Sequence, residues 1–453
     1  MCLRKLNKLW GTGHDRNLFI HLIISEFLNS LFLWLFLTIW TLKMQSNNFS
    51  TNEIAICYTM SQICRIINAF YLKEHKWYSP IIALFIHLLI LIPAILNSNS
   101  FISHFFLAFY KSGDMLTFYT ISLNNITTNR KNIGSSNIVE NRYRYSSTLL
   151  IGVWVIGYSI SLMVGGYIYQ YYSFELIVII QFVGVIIQII YCGILHFKHY
   201  NYSLNNEIVE MNTIMNTETN TNKYNLSLLD FFLLFILPLP IFGASALNWQ
   251  FMPVIYTQTF NLKSFEISLY LMMGDIISTI YFLYKSQNFN IKINLYCFRE
   301  PRKFTIFIFI LGVYMISLTS NILILTLISQ IFVGILFPIL NKIHSNYVFV
   351  YSKNKNIKFF NGSFMIVQHI GRSISAITAP YLFDIYQGLP FQINGILLIF
   401  FSILSFFVFK RHIRLNYKDE HIMTLSKSIL KLEIEKYHIE KHEKYESKEE
   451  IVL

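Results

Sequence analysis

IGYSISLMVGGYIY, residues 156–169, lies over IGRSISAITAPYLF, residues 370–383, without a gap, and the two agree at Ile, Gly, Ser, Ile, Ser and Tyr. Each stretch sits inside a long apolar run, and both runs hold the fifth place in their half of the chain. A fainter echo pairs RIINAFYLK (65–73) with DIISTIYFLYK (275–285), in the second run of each half. A match that recurs at half the chain length copies a whole folding unit. It therefore predicts an all-α membrane protein built as two pseudo-symmetric helical bundles.

Working outward from these stretches, apolar runs long enough to cross hydrocarbon recur about twelve times at the usual threshold of roughly 20 residues. Lipid cannot satisfy loose backbone groups, so each run must be a helix. The expected plan is a cytoplasmic N-terminus (1–16), a six-helix bundle (17–196), a polar Asn-rich cytoplasmic linker (197–225), a second six-helix bundle (226–409) and a charged tail (410–453). Within it, the first span is expected at 17–41, the fifth at 148–171, the seventh at 226–256 and the eleventh at 362–383. Composition agrees: 54% of the 453 residues are hydrophobic and only 13% are charged, about half of what a soluble surface needs. The N-terminal run is too long for a signal peptide and reads as a retained span.

The net charge of +12 forms no basic stripe interleaved with stacking aromatics, which argues against nucleic acid as a partner. Instead about 30 of the 36 Lys and Arg fall on alternate loops, against Lys43 and Lys263 on the others. That asymmetry places both termini and the central linker in the cytoplasm. The five cysteines show no CxxC pair, so neither a disulfide framework nor a zinc site is indicated, and no metal or cofactor is expected. No GxxxxGK[ST] occurs, which argues against an ATP-driven pump. An intramembrane transferase needs carboxylates or His on sizeable outer loops, and these loops are short and nearly uncharged. A membrane sensor or scaffold without transport fits the same features. The sequon at Asn48 falls in the first outer loop, where glycosylation is topologically allowed.

Charges inside spans cost about 3 kcal/mol each on insertion scales and are functional candidates by default. They are Glu26, Arg65, Lys111, Asp114, Asp275, Lys342 and Arg372. Lys111 and Asp114 are three residues apart and share a helix face. Either they neutralise each other, or Lys111 binds an anionic group while Asp114 or Glu26 exchanges a proton. Arg372 lies halfway along its span and needs a partner, water or an anionic ligand. Arg65 is nearer the cytoplasmic end and is expected to snorkel. In the seventh span, LPLPIFGASALNWQFMPVIY carries Pro238, Pro240, Gly243 and Pro253, which predict an interrupted helix. Asn248, Trp249 and Gln250 follow that interruption and offer a stacking face and hydrogen bonds. Gly157, Gly165 and Gly166, with Gly152, suit close helix packing rather than phosphate binding, since no strand precedes them.

Six helices, a cytoplasmic loop, six helices and related fifth and eleventh spans: over residues 15–410 this plan resembles the major facilitator superfamily. The family's second-to-third loop motif is represented by NAFYLKEHKWYS, short and basic but lacking the usual Gly and Asp. FYKSGDMLTFY sets Lys111 and Gly113 where the fourth span usually carries Arg and Gly. Gly157, Gly165 and Gly166 are kept in the fifth span, but Ser161 and Leu162 replace the Gly-Pro of antiporters, which points away from drug–proton antiport. The resemblance implies a cavity lined by the first, fourth, seventh and tenth spans, with Glu26, Lys111 and Asp114 near substrate. It also implies that the fifth and eighth spans pack across the halves, which makes Asp275 an interface or gate residue like Arg65. The implied activity is secondary active or facilitative transport of a small polar or anionic solute, with or without a proton, in a lipid bilayer.

Overall fold

The computed structural model describes residues 14–71, 79–111, 136–194, 235–287, 300–352 and 357–407, and among them every regular element is a helix. In chain order these are α1 (His14–Leu33), α2 (Leu37–Ser46), α3 (Thr51–Tyr71), α4 (Ser79–Leu96), α5 (Phe101–Lys111) and α6 (Ser136–Tyr171). There follow α7 (Phe174–Ile194), α8 (Pro238–Phe260), α9 (Ser264–Gln287), α10 (Glu300–Ser317), α11 (Leu323–Ser352), α12 (Ile357–Ile385) and α13 (Leu389–Phe407). The first residues of the chain, the linker at 197–225, Asp114 and the tail at 410–453 lie outside the described residues.

Among the described residues, five stretches are long and apolar enough to cross a membrane: Phe19–Ser46, Leu149–Tyr171, Phe174–Ile194, Leu323–Asn341 and Leu389–Phe407. Leu84–Leu96, Phe101–Tyr110 and Phe304–Ser317 are shorter apolar helices. The outward faces carry the same message. Leu89 on α4 is 66% exposed, Ile190 on α7 57% and Phe400 on α13 58%. Apolar surface on this scale is tolerable against lipid and not against water, so the chain is an integral multi-pass membrane protein.

In two places the chain departs from expectation. The first span is not one helix: it breaks at Trp34–Phe36, where Leu37 N–H donates to the Trp34 carbonyl (3.1 Å) and Ile39 N–H to that of Phe36 (3.2 Å). These short-range bonds tighten the chain into a turn although no Pro or Gly is present. The cause is tertiary. A Cβ placed on Gly165 of α6 would stand 1.8 Å from the Leu35 carbonyl oxygen, so the turn presses directly onto a residue that has none. The second departure is in the place where the seventh span is interrupted: the irregular turn lies at 235–237, ahead of α8, and not at Gly243 or Pro253. Pro238 and Pro240 occupy the first turn of α8, where their missing N–H groups cost little, and the helix then runs unbroken to Phe260. Asn248, Trp249 and Gln250 therefore sit inside a continuous stretch of helix that follows an irregular turn at 235–237.

Buried apolar residues form one core drawn mainly from α1–α7, joined by Ala376, and another drawn from α8–α13. Across the two sets the most extensive pairings are α6 with α9 and α3 with α12. Aligned positions of the internal match do equivalent work. An ideal Cβ on Gly157 would lie 2.1 Å from Ser30 Oγ and 2.9 Å from the Phe27 carbonyl of α1, and one on Gly371 would lie 2.4 Å from the Leu239 carbonyl of α8. Tyr167 packs its ring edge-on against Phe265 of α9, while the aligned Tyr381 donates its hydroxyl to Asn52 of α3 (2.9 Å). Gly166 allows close approach to Ser268 of α9, and Gly274 of α9 meets Gly334 of α11 backbone to backbone.

The end of the bundle that carries the short loops is tied across the two sets of helices. Thr51 hydrogen-bonds to Asp384, Gln387 donates to Gln258 (2.7 Å), and Phe265 N–H donates to Gln170 Oε1 (3.1 Å). Of these, Gln387 and Gln258 join helices of the second set, and the other two contacts cross between sets.

Candidate functional site

Near the middle of the helices, side chains from α3, α6, α9 and α12 meet beside the turn that breaks the first span. Trp34, freed from regular helix at that turn, is buried with its ring edge-on to Tyr158 (5.6 Å) and to Trp154 (6.2 Å). Tyr158 stacks on Trp154 at 5.1 Å and meets Trp249 of α8 edge-on at 4.9 Å. Over the Trp34 ring, at 5.4 Å, lies the guanidinium of Arg65. Arg65 is 2% exposed, so it does not snorkel to the membrane surface but turns inward onto an aromatic face.

On the opposite side stands α12. His369 Nδ1 meets Gln62 Oε1 of α3 at 3.2 Å, and since an amide oxygen only accepts, Nδ1 is the donor. His369 lies within electrostatic reach of both Arg65 and Arg372. Three residues on, on the same face, Arg372 holds its guanidinium 5.4 Å above the Phe242 ring of α8. Tyr158 in turn lies within electrostatic reach of Arg372 and of Asp275 on α9. Direct contacts thus join Arg65, Trp34 and Tyr158, while Asp275 and Arg372 lie within electrostatic reach of Tyr158, and His369 within reach of both arginines. The positions paired by sequence, 158 with 372 and 65 with 275, thus converge on one spot.

Polar groups in this ring are incompletely bonded. Trp34 Nε1, Tyr158 Oη, Asp275 Oδ2 and His369 Nε2 are all buried without a hydrogen-bond partner among the described residues. Folded proteins rarely leave such atoms bare, because each costs about 1–3 kcal/mol.

The other expected residues fall as follows. Glu26 is buried in α1, one turn before the Ser30 that Gly157 touches. Lys111 ends α5, and its side chain lies outside the described residues, as does the whole of Asp114. Gln250 is buried, its carbonyl accepts the Thr41 hydroxyl (2.5 Å), and its Oε1 has no partner among the described residues. Thr41 also bonds to Tyr58, so α2, α3 and α8 are joined at this level. Sequence reasoning missed Trp34, Tyr158 and His369. A polar His one helical turn from a buried Arg is the signal that was there to find. Among the described residues no cluster of metal-ligating side chains occurs.

No protein-family model matches the sequence. No curated protein matches it. Solved structures do. The nucleoside transporter NupG superposes with a TM-score of 0.56 at 16% identity, covering 87% of this chain and 98% of its own. A mutant of NupG gives 0.53 at 16% identity, covering 87% and 99%. The human organic anion transporter MFSD10 (TETRAN) gives 0.58 at 10% identity, covering 88% and 100%. At such identities the likeness is one of architecture: the chain is an all-α, multi-pass membrane protein with the fold of the major facilitator transporters.

Proposed function

We propose that the chain carries a small polar or anionic organic solute across a bilayer by alternating access, as a secondary active or facilitative transporter. The observation that carries this reading is the ring of buried polar side chains, contributed by helices on both sides of the central linker, in a protein with a transporter's fold. Charge so deep in the hydrocarbon region is retained where it meets a solute, a proton or a partner. Two guanidiniums at the ring, Arg65 and Arg372, favour an anionic group, and MFSD10 is a transporter of organic anions.

In this reading the chain forms twelve spans in two pseudo-symmetric six-helix bundles, 17–196 and 226–409, joined by the linker at 197–225, with both termini cytoplasmic. Glu26, Lys111, Asp114, Trp249, Gln250 and Arg372 serve binding or coupling. Arg65, Asp275 and the glycines Gly157, Gly165 and Gly166 serve gating and close packing. The short-loop end is then the outer end, and its cross-bundle bonds hold the transporter shut toward the outside. Such exposed single hydrogen bonds are worth about 1 kcal/mol each, weak enough to break and reform in a cycle.

Uptake of labelled amino acids, carboxylates, nucleosides and sugars into proteoliposomes, with and without a pH gradient, tests the proposal. Saturable flux of one class, abolished by Arg372→Gln in folded protein, is the expected result. Absence of flux for every class in verified folded protein sinks it and leaves the sensor or scaffold reading.

A further inference from the structure

Where α6 has Gly165 and Gly166, the matching stretch of α12 has Ala379 and Pro380. Gly166 lets α6 close on α9: an ideal Cβ there would lie 2.8 Å from the Ser264 carbonyl. Pro380 does the opposite. It has no N–H to give the Ala376 carbonyl one turn back, and its ring crowds that carbonyl, so α12 is weakened just before its last turn. Prolines inside helices are where helices bend.

The turn beyond Pro380 carries the contacts that close the short-loop end. Tyr381 donates to Asn52 and Asp384 accepts from Thr51, both at the start of α3, and both bonds are exposed. Phe383 of the same turn packs on Phe251 of α8 (5.3 Å), and Gln387 just past it donates to Gln258 near the end of α8 (2.7 Å). α8 carries its own internal proline, Pro253, ahead of Gln258. The tips of α8 and α12 are thus tied to each other and each lies beyond a proline, whereas α3, α6 and α9 contain none. One residue past the internal match, Gln170 stands where α12 has Asp384, and it accepts the Phe265 N–H of α9 (3.1 Å) on the same seam as the Gly166 crossing.

We infer that the tips of α8 and α12, residues 254–260 and 381–387, form a hinged lid that swings off α3 to open the short-loop end, while the α6–α9 seam stays closed as the pivot. On the transport reading above, on which this rests, the lid is the part of the fold that moves. Its bonds to α3 are exposed and exchange readily with water. Parting α6 from α9 would instead undo a crossing packed at backbone distance. The bonds to α8 keep the lid together as it moves, and the prolines supply the bend.

Hydrogen–deuterium exchange of the purified full chain in lipid nanodiscs, read by mass spectrometry with no solute added, tests the lid. Amides of 254–260 and 381–387 should exchange about tenfold faster or more than those of the corresponding ends, 40–46 of α2 and 167–171 of α6. Pro380→Ala restores the N–H at the hinge and should slow exchange at 381–387 by about threefold or more while leaving 167–171 unchanged. If that variant does not fold, the rates in the unaltered chain decide. Equal exchange at the two pairs of ends, faster exchange at 167–171, or a folded Pro380→Ala chain with unchanged exchange at 381–387 overturns the inference. The uptake experiment fails separately. The expected exchange pattern in a chain that moves no solute class keeps the lid and removes transport, and equal exchange in a chain with saturable uptake does the reverse.

Discussion

The α6 and α12 helices carry matching stretches of sequence, and one residue apart they behave oppositely. At the aligned positions 157 and 371 both carry Gly, and both use it to bring a backbone carbonyl of a neighbouring helix, α1 or α8, within reach of a Cβ. At the next aligned positions, 158 and 372, one helix places a phenol in an aromatic stack and the other a guanidinium over Phe242. The lesson is about constraint. A helix crossing at backbone distance admits no side chain, so the packing residue is the same in both stretches. The neighbouring position packs on different partners in the two helices, so there is nothing to hold it alike.

The packing half of the comparison predicts the largest effects. Gly165→Ala drives a Cβ into the Leu35 carbonyl at 1.8 Å, with no flexible side chain to yield, and Gly371→Ala does the same at the Leu239 carbonyl, 2.4 Å away. Both should cost about 3 kcal/mol or more and lose the monodisperse peak in gel filtration. Gly157→Ala should be milder, because the nearest atom is Ser30 Oγ, a hydroxyl that can rotate, although the Phe27 carbonyl at 2.9 Å remains. Gly193→Ala has nothing within 4 Å and should be neutral or raise the melting temperature slightly. A tolerant Gly371 beside an intolerant Gly157 would break the claim that the two crossings are equivalent.

The divergent half predicts function lost with the fold kept. Arg372→Gln should cut uptake at least tenfold, the loss of about 1.4 kcal/mol or more of solute interaction, with a melting temperature close to that of the unaltered chain. Arg65→Met should be the reverse in emphasis. It removes a guanidinium held on the Trp34 ring and should destabilise by about 1–2 kcal/mol as well as slow transport. If both variants fail in the same way, the ring is a structural unit and the contrast between Tyr158 and Arg372 carries no function.

Much of this architecture was legible in the sequence because lipid leaves the backbone few choices. Runs such as those containing 156–169 and 370–383 had to be helices, and their glycines had to sit at close crossings. The turn at Trp34–Phe36 was not legible. Its sequence, LFLWLFL, is ordinary helix-former, and what bends it is Gly165, distant along the chain. The same limit hid most of the central ring. Arg65, Asp275 and Arg372 announced themselves as charges in apolar runs, but Tyr158 and His369 are residues that a span can place at an interface without comment. Their meeting depends on α6 facing α9 and α3 facing α12, a pairing that belongs to tertiary structure. Arg65 was misread for a related reason: distance along the helix allowed snorkelling, and an aromatic ring on another helix offered a better partner.

The smallest effect sharpens the comparison at the short-loop end. Tyr167 and Tyr381 are aligned, and each reaches across to the other set of helices, but Tyr167 does so through its ring and Tyr381 through its hydroxyl. Tyr167→Phe should therefore change nothing measurable, since the edge-on contact with Phe265 needs no oxygen. Tyr381→Phe removes the bond to Asn52 and should weaken closure of this end by about 0.5–1 kcal/mol, a two- to fivefold shift in the conformational equilibrium. Spin labels at Asn99 and Ile322, exposed in short loops of the first and second sets of helices, report that shift as a growing population at longer distance. Equal responses from the two variants would mean that the hydroxyl is incidental and the rings alone hold the end shut.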